Sequence, residues 1–216
     1  MLLSQPNHIA FCRYEGEPVF LDEVRNRYFL LKPTERELFV HAAGGGTLKP
    51  DEMERLIVRG VAQAGFQGGE ALRETSGQLA AASILEGCGS AAASASTRSV
   101  ATSLARMLWR KRTKPFQALL DGMRNLKSAR YAVDPDHACS LAKGFYRARA
   151  RVPVTPVCLP DSMALMSFLA RHRVSANLVI GVRLNPFGAH CWVQTEDILL
   201  NETTDIAARY QPIRII

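Results

Sequence analysis

No long apolar run exists in this sequence. The longest uninterrupted aliphatic stretch is LVIGV, residues 178–182, against the ~20 residues that span a bilayer, so no membrane insertion is expected. The N-terminus, MLLSQPNHIAF, has no basic n-region and no apolar h-region, hence no secretory signal. C-x-x-C is also missing. The five cysteines, Cys12, Cys88, Cys139, Cys158 and Cys191, are odd in number and scattered. That pattern argues against a zinc site or a disulfide framework and for reduced thiols in a cytoplasmic protein. His8, His41, His137 and His172 share no spacing that suggests a metal. No G-x-x-x-x-G-K-[ST] loop occurs, so ATP use has no support and no cofactor is identifiable. There is no internal repeat.

What remains is a globular composition. Of 216 residues, 47% are hydrophobic and 22% charged, which excludes wholesale disorder. The length fits one large domain or two small ones. A net charge of +7 raises nucleic acid or lipid as a partner. Its distribution argues otherwise. Residues 1–66 carry 8 Lys+Arg and 9 Asp+Glu, residues 67–157 carry 14 and 6, and residues 158–216 carry 5 and 5. A phosphate-gripping protein would spread the excess over its recognition element, so nucleic acid is not an expected partner. The basic middle reads as a solvated face with at best a secondary docking role.

The pattern changes along the chain. Residues 8–32 alternate as three short β runs broken at Glu15-Gly16-Glu17 and Glu23–Asn26, which suggests an antiparallel meander. Thr34 then reads as an N-cap with Glu37 completing a capping box, for a helix Glu35–Ala43 stopped by Gly44-Gly45-Gly46. A second helix follows Pro50-Asp51, with Met53, Leu56, Ile57, Gly60 and Val61 at helical spacing. Residues 87–96, GCGSAAASAS, read as a partly flexible connector. Residues 98–130 form a basic helical region, and 136–150 another helix. Cys158-Leu159-Pro160-Asp161 opens a helix to about Arg173, Pro being well tolerated in a first turn. Strands are expected at Leu178–Arg183, His190–Gln194 and Ile198–Asn201. The expected fold is α+β, divided as 1–66, a connector 67–97, and 98–216.

The chemistry-bearing combination is Cys158 at a helix N-terminus with His190 at the start of a strand. The positive end of the helix dipole favours thiolate, and an imidazole that takes the thiol proton makes an ion pair suited to acyl transfer. Strand parity sets Cys191 on the face opposite His190, which leaves Cys158 as the nucleophile. A third group orients such an imidazole. A three-residue loop Thr195-Glu196-Asp197 would pair residue 190 with Glu202. A two-residue loop would favour Asn201 instead, since a one-residue slip inverts every side chain. Asp197 at the loop tip is a third candidate.

C-L-P-D-S-M-A-L (158–165), L-V-I-G-V-R-L-N-P-F-G-A-H-C-W-V (178–193), L-L-N-E (199–202) and Q-P-I-R-I-I (211–216) resemble the cysteine-protease half of the lasso-peptide maturation B proteins. These belong to the bacterial transglutaminase-like group of papain-like enzymes. The resemblance implies Cys158 and His190 as the catalytic pair. It maps the family's acidic residue, usually Asp, onto Glu202, which is one methylene longer. V-F-L-D…Y-F-L-L-K-P-T (19–34) is similar, more loosely, to a winged-helix-like leader-recognition element of three strands and about three helices. By that analogy a leader peptide adds as a strand along Arg27, Tyr28, Phe29, Leu30 and Leu31, with helix 51–64 as the far wall of the groove. Arg183 and Trp192 complete the candidate substrate-binding set, with loop anchoring and core packing as their purely structural readings.

The resemblance implies a leader peptidase. It would bind the leader of a ribosomally made lasso-peptide precursor, cleave it off, and pass the freed core to an asparagine-synthetase-like cyclase. The alternatives are a non-enzymatic leader-binding adaptor and an acyl transferase on the same Cys/His site.

Overall fold

The computed structural model describes residues 2–65, 72–87, 91–128 and 134–216. The chain divides into two compact units, Met1–Ser76 and Gly77–Ile216.

In the first unit, β1 (Leu2–Ser4) pairs antiparallel with a later strand. Then β2 (Ile9–Tyr14), β3 (Glu17–Asp22) and β4 (Arg27–Leu30) form the expected meander, in the order β2-β3-β4. Its register sets Phe11 opposite Phe20 and Phe20 opposite Phe29. Helix α1 (Pro33–Ala43) lays Phe39 edge-on against both Phe11 and Phe20, at 4.9 and 4.8 Å between ring centroids. These aromatic contacts and Leu56 of α2 (Pro50–Arg59) make the core of the unit. Strand β5 (Gln63–Gly65) returns to β1. Two helices, rather than about three, accompany the meander among the described residues.

Both helix starts differ from the expectation in the same way. The sequence repeats Lys-Pro-x-Glu, as Lys32-Pro33-Thr34-Glu35 and Lys49-Pro50-Asp51-Glu52. In each, Pro occupies N1, where a missing N–H costs nothing. The glutamate accepts from the lysine N–H, Glu35 at 3.3 Å and Glu52 at 2.8 Å. The cap is thus Lys32, two residues before Thr34. At the other end α2 stops at Arg59, because Gly60 turns left-handed at φ 80° instead of continuing the helix.

The second unit opens with β6 (Ala82–Ser83) and a 3-10 turn, Ile84–Glu86. The segment read as a connector therefore contributes to a sheet, and Cys88 lies outside the described residues. The basic region divides into α3 (Thr97–Thr113) and α4 (Phe116–Ser128). The break is Lys114, held extended by the following Pro115. On α3, Val100, Leu104 and Met107 are buried while Arg106, Lys111 and Arg112 are exposed. After α5 (Pro135–Arg149) comes α6 (Cys158–Arg171), with Met163 through Met166, Phe168 and Leu169 all buried. A helix that is apolar nearly all round belongs at the centre of a unit, and α3, α4 and α5 all pack on α6.

Strands β7 (Asn177–Arg183), β8 (Gly188–Gln194) and β9 (Ile198–Leu199), a short helix α7 (Thr204–Ala207) and β10 (Gln211–Ile215) complete the unit. The sheet runs β10-β7-β8-β9-β6, antiparallel except for the β6–β9 pair. Strand β10 was not expected. Its buried residues Pro212 and Ile213 are adjacent, at a register shift in the ladder, so strict alternation is lost and the periodic signal is weak.

Candidate active site

Helix α6 packs against β8, so Cys158 in its first turn and His190 on the strand come together. The two side chains share a hydrogen bond. The imidazole Nε2 lies 2.5 Å from Glu202 Oε2, which leaves Nδ1 as the nitrogen for the thiol. The order is Cys158–His190–Glu202.

Glu202 reaches His190 by a route that strand parity missed. The loop register pairs Gln194 with Leu199, not with Ile198. An uninterrupted ladder would then present 201 rather than 202 to that face. Instead β9 is only two residues long. Asn201 turns its side chain into the ladder, accepting from Val193 N–H at 2.7 Å and donating to Ser162 Oγ at 2.8 Å. The chain is released into a turn that swings Glu202 onto the imidazole. Asn201 is thus the strut beneath the site, and Asp197 stays at the loop.

The turn is held from the segment expected to be a connector. Ser83 Oγ donates to the Glu202 carbonyl at 2.6 Å, and Glu86 accepts from Thr204 N–H and Oγ. Glu202 Oε1 accepts from Thr203 N–H at 2.9 Å. Ser83 and Glu86 carry no sequence signal, because small and acidic residues in a loop look alike whatever they hold.

The imidazole is clamped on its faces as well. Trp192 stacks near it at 6.0 Å and Tyr210 lies tilted at 5.3 Å. Gly181, opposite His190 in the ladder, leaves room for both rings. A Cβ there would sit 2.8 Å from the Trp192 ring and from Tyr210 Cβ. A glycine inside an apolar strand is itself a signal of such close approach.

Electrostatics follow from this packing. For the Cys158 thiol, the hydrogen bond from His190 is the largest influence and lowers its pKa. Burial opposes it, and the N–H groups of Cys191 and Leu159 add to the lowering. For His190, burial acts to lower the pKa. The hydrogen bonds and negative charges of Cys158 and Glu202 outweigh it and raise the imidazole to about 9. Burial would raise Glu202, yet His190 and the Thr203 N–H hold it below the usual carboxylate range. All three directions favour thiolate, imidazolium and carboxylate together. Cys191 is buried, and that burial pushes its thiol up, which matches its placement on the face away from His190.

A second charged pair lines the same cleft as Cys158. Asp161, one turn into α6, accepts from Val157 N–H at 2.7 Å and pairs with Arg149 through Nε and through Nη2 at 3.4 Å. Arg149 also donates to the carbonyls of Val152 and Val154 at 3.2 and 2.9 Å. Its guanidinium thereby ties the loop 150–157 to the turn that carries Cys158. Neither residue stood out in the sequence. A cleft of about 470 Å³ opens on Cys158, His190 and Glu202.

The remaining candidates lie elsewhere. Trp192 is fully buried and donates to Gln194 Oε1 at 2.8 Å. Arg183 stacks over Tyr210 at 5.3 Å. Neither lines the cleft, so both are corrected to supports behind His190. In the first unit, Arg27 through Leu30 form an outer strand of the meander. The guanidiniums of Arg27 and Arg59 lie over the Phe29 ring at 5.3 and 5.4 Å, and Arg59 donates to the Leu30 carbonyl. Leu31 is buried in the core and is removed from the surface-binding set.

Among the described residues no group of three or more His, Cys, Asp or Glu side chains is arranged to hold a metal, and no helix is long and apolar enough to cross a membrane. Comparison with curated proteins and with solved structures gave no match. The family model described as the transglutaminase-like superfamily matches residues 100–215, a span that contains Cys158, His190 and Glu202. Over more than half its length, therefore, this chain belongs to the transglutaminase-like superfamily, typically a cysteine peptidase or transferase fold.

Proposed function

We propose that this protein is a cysteine peptidase that removes the leader from a lasso-peptide precursor. The observation that carries the chemistry is the Cys158–His190–Glu202 chain, with each group biased toward its charged form. The Cys158 thiolate adds to the scissile carbonyl. The Cys158 N–H, in the first turn of α6, faces the oxyanion together with the helix dipole. His190 gives its proton to the departing amine as the C–N bond breaks, leaving a thioester. A water then loses a proton to His190 and attacks the thioester, and the thiolate leaves. Glu202 keeps the imidazole oriented and balances its charge throughout.

The leader assignment rests on the sequence resemblance and on β4 being an outer strand, where a peptide can add by backbone pairing. The freed core would pass to an asparagine-synthetase-like cyclase in the cytoplasm. The test is incubation with the precursor and detection of leader release by mass spectrometry. Release that depends on Cys158 supports the reading, and release that survives Cys158→Ala overturns it. An acyl transferase uses the same thioester with an amine in place of water, and product mass separates the two. Leader binding without cleavage, even with the cyclase present, would make the protein an adaptor.

A further inference from the structure

The cleft beside Cys158 has two chemically distinct kinds of lining. One carries the nucleophile, His190 and Glu202. The other is carbon, from Ala142 and Phe145 of α5, Val152 and Val154 of the following loop, Leu165 of α6, and Leu200. The two charged side chains on that wall, Arg149 and Asp161, are paired with each other. On the catalytic side His190 and Glu202 are likewise paired. Outside the reacting Cys158–His190–Glu202 group, the described lining thus holds one charged pair, Arg149 with Asp161, and no unpaired charge for a charged guest. At the mouth, Val154 and Val157 are 39% and 42% exposed, apolar surface with water against it.

We infer that this wall is a subsite for a large apolar side chain on the substrate residue at the scissile bond. The inference rests on the peptidase reading for its location beside the reacting carbonyl, and it adds the chemistry of the residue accepted there. At 470 Å³ the cleft falls within the roughly 300–1,000 Å³ of ligand sites, ample for a leucine or phenylalanine side chain. Burying such a side chain here gains at least ~10-fold in binding. A carboxylate or ammonium in the same place would lose its water and meet no free counter-charge.

The experiment does not need the natural substrate. N-acetyl-aminoacyl chloromethyl ketones of leucine, phenylalanine, aspartate and lysine alkylate Cys158 while presenting one side chain to the cleft. Each rate is divided by the iodoacetamide rate of the same protein, which removes differences in thiolate reactivity. The leucyl and phenylalanyl probes are expected to react at least ~10-fold faster than the aspartyl and lysyl probes. Val154→Asp, on a partly exposed position that tolerates the change, is expected to cut the leucyl-to-aspartyl ratio several-fold. Equal rates within twofold, faster charged probes, or no reaction with any ketone while iodoacetamide reacts would each overturn the subsite. The peptidase reading fails separately: a clear apolar preference with no precursor cleavage defeats that reading and leaves the subsite standing. Cleavage with a flat probe profile does the reverse.

Discussion

Arg149→Met tests how the thiolate is protected from its own helix. Asp161 lies three residues after Cys158, so on a helix the two side chains are neighbours at ~5–6 Å. With Arg149 in place the carboxylate is balanced. Without it, at ~6 Å and an effective dielectric of ~20, carboxylate and thiolate repel by about 2.8 kcal/mol, or about two pKa units. Solvent reaches the Asp161 side chain, which is 16% exposed, so the expected rise in the Cys158 pKa is about one unit or more. Breaking a buried pair also costs stability, ~3–5 kcal/mol, and the carbonyls of Val152 and Val154 lose their donor. The second variant separates the two effects. Arg149→Met with Asp161→Asn removes the charge but not the loss of the loop tether. Its Cys158 pKa is expected within half a unit of the parent value, while its melting temperature stays low. The assay is the iodoacetamide alkylation rate against pH, read by mass spectrometry on the peptide that carries Cys158. A folded Arg149→Met protein with an unmoved Cys158 pKa would refute the electrostatic role and reduce Arg149 to a tether.

Other expectations follow from the same geometry. Turnover should fall as pH rises through about 9, where His190 loses the proton it must give to the leaving amine. A flat profile from pH 8 to 10 would contradict this. Glu202→Gln keeps an oxygen that can accept from the imidazole but removes the negative charge, one of the influences that raise His190, so that basic limb should move down toward an ordinary imidazole, with kcat reduced ~10²–10⁴-fold. An unchanged limb would show that Glu202 does not act through the imidazole. Gly181→Ala forces a methyl against Trp192 and Tyr210, and should cost ~1–3 kcal/mol by denaturant titration. A loss below ~0.5 kcal/mol would show that the rings have room to move.

The parts of the sequence that read well were those with short-range physical signals. The meander was legible because three short apolar runs, one around each of Phe11, Phe20 and Phe29, are separated by turn residues. Cys158 and His190 were legible because a thiol at a helix start and a histidine opening a strand are local patterns. Glu202 was named from a loop length that the chain does not use. It arrives because Asn201 ends the ladder early, a side-chain-to-backbone bond that periodicity cannot report. The same limit hid Ser83, whose hydroxyl bonds a carbonyl 119 residues away, and Arg149, whose partners lie across a loop. Small residues around 87–96 suggested a connector, yet Ala82 and Ser83 just before them add a strand to the sheet. Two-residue strands carry no period to detect.

The central claim is that Cys158, charged by His190, cuts a precursor peptide. The most direct measurement is leader release from the lasso-peptide precursor by the full chain, followed by mass spectrometry, for the parent protein and for Cys158→Ala. The account predicts leader and core fragments with the parent protein, a transient mass increase on Cys158 from the thioester, and neither with the variant. Leader release at a comparable rate by Cys158→Ala would contradict it.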